Sequence, residues 1–505
     1  MKKKILINVE AGERRTAIVV ENKLDDYFVD RLEQEAIVGN IYKGEVNSVV
    51  PAIGAAFIDY GAAKNGFLYV TDVIEAMPEY VEGEIIYEAE APPAGRKERR
   101  NKGPLKIQDL LKAGQEVLVQ VVKEEIGTKG ARLTTNISLP GRYLVFMPNS
   151  SKIGISRKIR DDKERKRIKD ILKTFRLPKG AGLIARTAAS GCAKRDLARD
   201  AKFLAKQWAR IRVASRKKSA PSQLWHELDI TSKIMRDMLT EEVEKIIIDE
   251  KGEFRRIKHV VANFSPKFRS RIELYKDDEP LFERYGIEKD IDRIFHRKIF
   301  LKCGGYITIE QTEGMIAIDV NTGRFIKKKD PEATIYRANV EAAAETARQL
   351  RLRDVGGIVV IDFIDMLDEK HRKDVFNTLQ KELRKDRART HIASVSELDI
   401  VELTRQRTYK SIESASYQSC PYCEGRGRIK SAETVSILAV RKLKNFLKKA
   451  KPRQPVEIVL HPDVAAKLRK DESGFLRRLQ RTFRTKITVL ENNRFHFEDI
   501  EIKRV

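Results

Sequence analysis

Two aspartates that each follow an apolar strand pattern, Asp319 and Asp362, are the strongest candidates for chemistry in this sequence. Asp319 precedes a turn at 321–323, and Asp362 ends an apolar run at 358–361, which predicts a strand buried on both faces of its sheet. A helix is predicted between them, over about 330–353. Because a strand–helix–strand unit places its strands parallel, both carboxylates should emerge at the carboxyl edge of one sheet, where open α/β sheets build their sites.

Two carboxylates at such an edge favour a divalent cation, because neighbouring like charges raise each other's pKa unless they are neutralised. Hard oxygen ligands completed by water favour Mg²⁺, which can hold a phosphate and lower the pKa of a bound water. The seven histidines are scattered, so metal-dependent hydrolysis is favoured over general acid–base cleavage of a phosphodiester. The alternative is that both aspartates only cap a turn and a strand end.

A second candidate is the cysteine pair Cys420 and Cys423, which a glycine-rich turn follows. Two thiolates at this spacing are typical of half a tetrahedral zinc site. Neither Cys192 nor Cys303 belongs to another such pair, so a second copy of the chain would supply the missing ligands and zinc would join a dimer. A redox motif, disfavoured because no thioredoxin-like context is recognised, and an inert turn are the alternatives.

The elements that must position these residues begin with short strands. Residues 1–35 predict a three-stranded meander, and 36–135 contain five short strands with glycine turns, the pattern of a small OB-fold barrel. In such a barrel Phe57 and Phe67 would stack bases, although burial in the barrel core is an equal alternative. A loop rich in Glu, Pro and Lys interrupts the strands at about 75–106.

Positive charge concentrates in two segments of the chain. Lys and Arg number 100 against 74 Asp and Glu, a net charge of +26. Residues 151–218 hold 23 basic against 6 acidic side chains, and 428–505 hold 20 against 9. Charged amphipathic helices are predicted at 157–177 and 194–217, around a strand at 182–188. Two basic modules favour a polyanion held at more than one place, whereas solvated helix faces are the plainer interpretation.

The length and composition indicate a globular protein. The 505 residues predict three or four domains, and 41% apolar with 34% charged residues fit neither a disordered nor a membrane-embedded chain. The N-terminal apolar segment is too short for a signal peptide, and no run of about 18 apolar residues follows. Four cysteines cannot form a secreted disulfide framework, so a cytoplasmic protein is expected.

Several long motifs in a fixed order show that the chain resembles the bacterial ribonuclease E and ribonuclease G family over essentially its full length. The motifs are Ile41-Tyr42-Lys43-Gly44, 127–131, 143–148, 317–323, 348–353, 360–366 and 420–423. Because no long disordered tail follows the cysteine pair, the form resembles ribonuclease G or a tail-less ribonuclease E.

The resemblance implies a multidomain α/β protein with a split domain and two insertions. The implied parts are an RNase H-like domain at 1–35 and 232–294, an OB-fold RNA-binding domain at 36–135, a 5′-sensing domain at 136–231, a DNase I-like catalytic domain at 295–416, a zinc link at 417–427 and a small C-terminal domain at 428–505.

The resemblance also implies an Mg²⁺-dependent endoribonuclease that cuts single-stranded, A/U-rich RNA, prefers a 5′-monophosphate and leaves a 5′-phosphate. Ribosomal RNA maturation and mRNA decay are the implied pathways, with a homodimer joined by zinc and a homotetramer as the alternative assembly. The implied site residues are Asp319 and Asp362 on the metal with Asn321 beside them; Cys420 and Cys423 on zinc; Arg186, Thr187, Arg157, Val145 and Gly141 at the 5′-phosphate; and Phe57, Phe67, Lys129 and Arg389 on RNA. An RNA-binding assembly protein without catalysis and a DNA-directed nuclease are the competing hypotheses.

Overall fold

The structure, a computed structural model, describes most of the chain. The described residues are 2–31, 37–73, 106–125, 129–312, 314–323, 331–393, 400–406, 416–418, 420–449 and 454–505. They fall into two compact units, 1–415 and 416–505. The loop predicted at 75–106 lies outside the described residues except at its last position. In the described part of the chain, every helix is too short or too polar to span a bilayer.

Strands occur in both units of the described chain. The first thirteen are β1 (Lys3–Glu10), β2 (Glu13–Val20), β3 (Lys23–Arg31), β4 (Ile41–Val50), β5 (Ala55–Asp59), β6 (Gly66–Tyr69), β7 (Glu116–Lys123), β8 (Arg132–Thr134), β9 (Leu139–Pro140), β10 (Leu144–Met147), β11 (Ile153–Ile155), β12 (Gly182–Ala185) and β13 (Ser222–Trp225). The rest are β14 (Val243–Ile248), β15 (Ile272–Leu274), β16 (Lys298–Phe300), β17 (Tyr306–Gln311), β18 (Met315–Asn321), β19 (Gly357–Asp362), β20 (Thr390–Ile392), β21 (Ile400–Arg405), β22 (Val456–Leu460), β23 (Ile487–Glu491) and β24 (Ile500–Arg504).

The helices of the described residues range from one turn to more than six turns. They are α1 (Val70–Val73), α2 (Ile107–Leu110), α3 (Asp162–Lys173), α4 (Lys194–Lys217), α5 (Ile230–Asp237), α6 (Lys251–Phe264), α7 (Leu281–Arg284), α8 (Glu288–Ile294), α9 (Pro331–Leu352), α10 (Glu369–Leu383), α11 (Ala432–Lys449), α12 (Pro462–Asp471) and α13 (Ser473–Phe483).

The first sheet joins the two ends of a long insertion. Its order is β15-β14-β1-β2-β3, and β1 pairs in parallel with β14. The meander predicted for residues 1–35 is therefore present, and it forms one sheet with residues 243–274. Ile5 and Ile7 pack in one cluster with α5 and α6, while Leu6 packs in another with α7 and α8. Helices thus cover both faces of β1, which explains its unbroken apolar run.

The second sheet closes into a small barrel. Its order is β13-β4-β5-β6-β8-β7, and a further pairing of β4 with β7 completes the ring. The predicted five-stranded OB-like barrel is confirmed, with Ile58, Leu68 and Leu133 in its core. The extra strand β13 comes from the segment predicted as 5′-sensing, so that segment contributes an edge to the barrel. Gly130 is required because a Cβ there would lie 2.0 Å from the Asn65 carbonyl oxygen.

A small four-stranded sheet and two helices form the module between the barrel and α5. The sheet order is β11-β12-β10-β9. Helix α4 matches the predicted range 194–217, but the helix predicted at 157–177 begins only at Asp162 and ends at Lys173. It begins there because the Asp161 side chain accepts from the Lys163 N–H and caps the helix at that point.

A six-stranded sheet carries the two aspartates. Its order is β16-β17-β18-β19-β21-β20, and the prediction that β18 and β19 are parallel is confirmed. The prediction that β19 is buried on both faces is wrong: Val359 and Ile361 are buried, but Ile358 is 50% exposed. The reason is that α9 and α10 pack together and their apolar residues join one core cluster with a single face of the sheet. Along β18 the residues between the buried ones point to the opposite face of the sheet, and these side chains are both polar and apolar.

The second unit, 416–505, has its own core. Strands in the order β23-β22-β24 pack with α11, α12 and α13 around Val456, Ile458 and Leu460. Helix α11 presents Val435, Ala439 and Leu443 to this core at helical spacing.

Candidate active site

The two predicted catalytic aspartates meet on the exposed face of the six-stranded sheet. Asp319 and Asp362 are register partners on the adjacent parallel strands β18 and β19, and both are exposed. Side chains of register partners on neighbouring strands project from the same face about 5 Å apart. Asn321, two residues along the same face, donates from Nδ2 to Asp319 Oδ2 at 2.6 Å. The three residues therefore form one acidic, solvent-open cluster at the carboxyl edge of the strands.

This cluster suits a magnesium ion better than a transition metal. Mg²⁺ is commonly held by one or two carboxylates, with water and phosphate oxygens filling the other positions. Among the described residues, His, Cys, Asp and Glu form no group of three or more that would hold a metal by protein ligands alone. The pair Asp319 and Asp362 offers only oxygen donors on an open face, so the residues present fit a hard, hydrated cation that also binds a phosphate.

Helix α9 fixes the segment that follows Asp362. Its Asn339, which is fully buried, donates to the Ile364 carbonyl oxygen at 2.7 Å and accepts from the Ile364 N–H at 3.1 Å. Near the helix start, Glu332 contacts His371 at 3.1 Å, and this hydrogen bond holds the pKa of the Glu332 carboxyl below its usual range. The sequence pattern missed both residues, and the signal available for Asn339 was a polar residue on an otherwise apolar helix face.

Aromatic rings line one surface of the barrel. Phe57 and Phe67 are register partners with ring centroids 5.7 Å apart, and Tyr69 lies 4.3 Å from Phe67. The two phenylalanines are half-buried and lie outside the barrel's core cluster, so the interpretation of them as core residues is wrong. The Arg132 guanidinium lies 5.9 Å from the Tyr69 ring centroid and pairs with Asp72. Tyr69 and Arg132 therefore lie beside Phe57 and Phe67 and enlarge the aromatic surface that these two residues form.

Tyr69 was not among the predicted residues, although its position two residues after Phe67 on one strand places it on the same face. Lys129, another predicted RNA contact, is exposed. Lys129 stands two residues before Ala131, whose carbonyl oxygen accepts from the Phe67 N–H at 2.7 Å. Its backbone is therefore near the strand that carries Phe67 and Tyr69.

The residues predicted to bind a 5′-phosphate lie around a buried arginine. Arg186 follows β12, and its Nη1 donates to the Gly141 carbonyl oxygen and to Asp237 Oδ1, both at 2.6 Å. Thr187 is half-buried, with its hydroxyl 3.1 Å from that of Ser156, whose chain neighbour Arg157 is exposed. The structure thus joins Gly141, Arg186 and Thr187.

Val145, the fifth predicted residue of this group, is fully buried in a small cluster with Met147 and Ile184. It pairs with Ile184 on β12, the strand that Arg186 follows. Its side chain therefore packs against β12, the strand that leads to Arg186, and is not exposed to a ligand.

Two carboxylates, Asp237 on α5 and Asp200 on α4, hold this group of residues in place. Burial raises the pKa of Asp237, but the guanidinium groups of Arg186 and Arg236 outweigh it and hold that pKa well below its usual range. Asp200 on α4 accepts from the Tyr143 and Leu144 N–H groups at 2.8 and 2.9 Å. A Cβ at Gly141 would lie 2.6 Å from an Asp200 oxygen, so a larger residue there would displace the Asp200 carboxylate from its backbone donors. Neither carboxylate was predicted, because each reaches its partners only through the packing of distant segments.

Arg389 lies far from the aspartate pair. It directly precedes β20, and its carbonyl oxygen accepts from the Gln406 N–H, which follows β21. Because β21 runs antiparallel to β19, this is the edge where β19 begins, whereas Asp362 stands where β19 ends. Arg389 is exposed there, beside the buried ion pair of Asp386 and Arg405.

The cysteine pair forms a tight turn in the second unit. Backbone N–H groups of Cys423 and Tyr422, and then the Cys423 side chain, lower the pKa of the Cys420 thiol. The Gly427 N–H points at Cys423 Sγ at 3.3 Å, and Cys420 is exposed. Peptide N–H groups directed at both sulfurs, with an open side on Cys420, fit thiolates that bind a metal.

The turn is anchored to the rest of its unit through Tyr422. Its ring lies 4.2 Å from that of His496, and its hydroxyl accepts from the Phe497 N–H at 3.1 Å. The cysteines precede α11 by several residues and do not stand at its N-terminus, the position that activates a redox cysteine.

Two protein-family models match parts of the chain. The family model described as "Ribonuclease E/G family" matches residues 138–408, and the model described as "RNase E/G, Thioredoxin-like domain" matches residues 419–505. Ribonuclease G of Salmonella typhimurium (strain SL1344) and of Escherichia coli (strain K12) are each 39% identical to the chain over 443 residues, 88% of both proteins. Ribonuclease E of Haemophilus influenzae is 37% identical over 492 residues, which are 97% of this chain and 51% of that protein.

A multidomain α/β protein with an OB-like barrel, and with an acidic pair at the carboxyl edge of two parallel strands, has the features of a nuclease. The chain belongs to the ribonuclease E/G family. The sequence-based predictions of this family and of an enzyme are therefore confirmed. The thioredoxin-like description of 419–505 removes one reason given against a redox motif, so the zinc interpretation now depends on the geometry of the turn.

Proposed function

We propose that the chain is an Mg²⁺-dependent endoribonuclease that hydrolyses single-stranded, A/U-rich RNA and leaves a 5′-phosphate on the downstream fragment. The observation that carries this proposal is the register of Asp319 with Asp362 on an open sheet face, in a chain of the ribonuclease E/G family. Precursors of ribosomal RNA and mRNA in the cytoplasm are the proposed substrates.

Asp319 and Asp362 would hold the metal, which supplies positive charge to the scissile phosphate and a water of lowered pKa. The Asn321 amide fixes the orientation of the Asp319 carboxylate through the 2.6 Å hydrogen bond between them. Asn339 on α9 fixes the backbone that follows Asp362, so both carboxylates are held by the protein before a substrate arrives.

The direct test replaces each aspartate with asparagine, which keeps the shape and removes the charge. Asp319→Asn and Asp362→Asn should each lower cleavage of a 5′-monophosphorylated, single-stranded RNA by about a thousandfold or more, because a lost metal ligand removes several kcal/mol of transition-state stabilisation. Asp277→Asn, at an exposed position outside the six-stranded sheet, is the matched control.

The same assay separates the competing hypotheses. Undiminished cleavage in both variants would exclude the proposed site. RNA binding by the wild type with no metal-dependent product would indicate the assembly protein without catalysis, and faster cleavage of the DNA oligonucleotide of the same sequence would indicate a DNA-directed nuclease.

A preference for 5′-monophosphorylated RNA is part of the proposal, and the Arg186 environment supports it. A guanidinium and a hydroxyl are suitable donors to a phosphate dianion. Arg186 is oriented by Asp237 and the Gly141 carbonyl oxygen, and Thr187 follows it directly. Arg186→Ala should therefore narrow the ratio of cleavage rates on 5′-monophosphate and 5′-hydroxyl substrates, and an unchanged ratio would remove Arg186 from this role.

RNA binding by the barrel is the third part of the proposal. Phe57 and Phe67 lie outside the core cluster and Lys129 is exposed, which suits a surface that stacks bases and follows the backbone. Arg389 would contact RNA at a separate place, since it lies at the opposite edge of the catalytic sheet from Asp362.

A further inference from the structure

Helix α4 carries a row of cations along its solvent face. The row, called the basic stripe below, consists of Arg195, Arg199, Lys202, Lys206, Arg210 and Lys217, all exposed. At 3.6 residues per turn these positions fall within an arc of about 80°. The opposite face of the helix is buried through Leu197, Leu204, Trp208 and Ile211. The stripe is therefore the face directed away from the core.

The charge of the stripe is almost entirely uncompensated by the residues that the structure describes. Among the described residues, Arg199 alone of the six has a carboxylate partner, Asp196. The other acidic residue of the helix, Asp200, is buried and directed at the backbone N–H groups of 142–144. Apart from Asp196 at its N-terminal end, the face therefore presents cations with no acidic residue interspersed.

This arrangement costs helix stability. Four successive pairs of like charges, spaced three or four residues apart, lie between Arg195 and Arg210. Each such pair destabilises a helix. A face that serves only for solvation gains from mixed signs at the same spacings. A row of one sign favours a polyanionic partner that neutralises it.

We propose that the basic stripe binds the phosphate backbone of double-helical RNA. At the helical rise of 1.5 Å per residue the segment from Arg195 to Arg210 is about 22 Å long. Its two aromatic side chains, Phe203 and Trp208, pack with the core cluster of the module and not in the stripe, so the stripe lacks the rings that stack bases in single-strand sites. Double-helical RNA is recognised through its phosphates and 2′-hydroxyls, which suits such a face.

This inference rests on the proposed function for the choice of RNA as ligand, and it adds a class of RNA structure. The buried side of α4 holds Asp200 against 142–144, next to the Gly141 carbonyl that orients Arg186. A paired RNA segment on the stripe would therefore lie on the same module as the proposed 5′-phosphate pocket. The enzyme would hold a folded 5′ region while an unpaired segment is cut elsewhere.

The test compares two triple variants of equal charge change. The stripe variant is Lys202→Gln, Lys206→Gln and Arg210→Gln; the control, on α6, is Lys251→Gln, Arg255→Gln and Lys258→Gln. Binding is measured in EDTA between 50 and 200 mM KCl, on an RNA hairpin with a single-stranded tail and on an unpaired RNA of equal length. On the hairpin, three lost phosphate contacts should reduce the slope of log affinity against log salt by about 2.7. From 50 to 200 mM KCl the affinity of the wild type should therefore fall by a factor about 40 times larger than the affinity of the stripe variant.

Three results would overturn the inference: an unchanged hairpin slope in the stripe variant, an equal change in the control variant, or an equal change on the unpaired RNA. Cleavage of a short unpaired RNA with Mg²⁺ should be the same in the stripe variant and the wild type. Absence of cleavage in the wild type would reject the proposed function. The salt slopes, which are measured in EDTA, would still show whether the basic stripe binds double-helical RNA.

Discussion

At the scale of single residues, the candidate sites depend on side chains that orient other side chains. Asn321 orients Asp319, and Asp237 orients Arg186. Asp319 was predictable because alternating apolar residues locate the end of a strand. Asp237 was not, because its partner lies 51 residues away and only the packed chain brings the two together.

Asp237→Asn should lower the free energy of unfolding by about 3 kcal/mol, because the buried guanidinium groups of Arg186 and Arg236 lose their counter-charge. The same variant should narrow the rate ratio between 5′-monophosphate and 5′-hydroxyl substrates. Chemical denaturation and paired cleavage assays measure the two effects. Glu244→Gln, at an exposed position, is the control, and a ratio equal to that of the wild type would separate Asp237 from phosphate recognition.

The stability effect of Asp237 also has a pH dependence of known sign. Its pKa is depressed in the folded protein, so its charge stabilises the fold above the unfolded value of about 4 and this contribution is lost as the pH falls further. The difference in unfolding free energy between the wild type and Asp237→Asn should be constant from pH 5 to pH 8 and shrink below pH 4. A difference that grows on acidification would contradict the assignment.

At the scale of elements, local pattern predicted helices and strands better than it predicted their burial. Helix α4 matches its predicted range because its apolar positions repeat with helical spacing over 24 residues. Strand β19 was expected to be covered on both faces, but an apolar run does not reveal that α9 and α10 pack with only one. The exposed Ile358 lies on the face that carries Asp362. The apolar run therefore gave no sign that this face of the sheet is open to a substrate.

The aromatic strand β6 gives a prediction at this scale. Tyr69→Ala should weaken binding of single-stranded RNA by about 1–3 kcal/mol, the typical contribution of one stacked base, whereas Tyr69→Phe should bind like the wild type. Fluorescence anisotropy with an unlabelled competitor measures the difference. Ile53→Ala, another exposed apolar residue of the barrel, controls for loss of surface area; equal weakening in both alanine variants would rule out stacking at Tyr69.

At the scale of the whole molecule, we propose that zinc held by Cys420 and Cys423 joins two chains. Cys420→Ser should give monomers that have lost about half a zinc per chain, because four thiolates from two chains complete one tetrahedral site. Light scattering and elemental analysis measure the two quantities, and Cys192→Ser, in the other unit, is the control. A metal-free dimer of the wild type would contradict the proposal.

The pairing of β1 with β14 has a consequence for synthesis of the protein. Lys3 pairs with Val243, which leaves the ribosome 240 residues later, about 12–50 s at ordinary elongation rates. During this interval the barrel and the four-stranded module can fold, while the N-terminal meander still lacks its partner strand and the helices that cover both of its faces. Residues 3–31 are thus made well before the residues that protect them, and the nascent chain exposes an apolar, unpaired strand edge to chaperones and to other nascent chains.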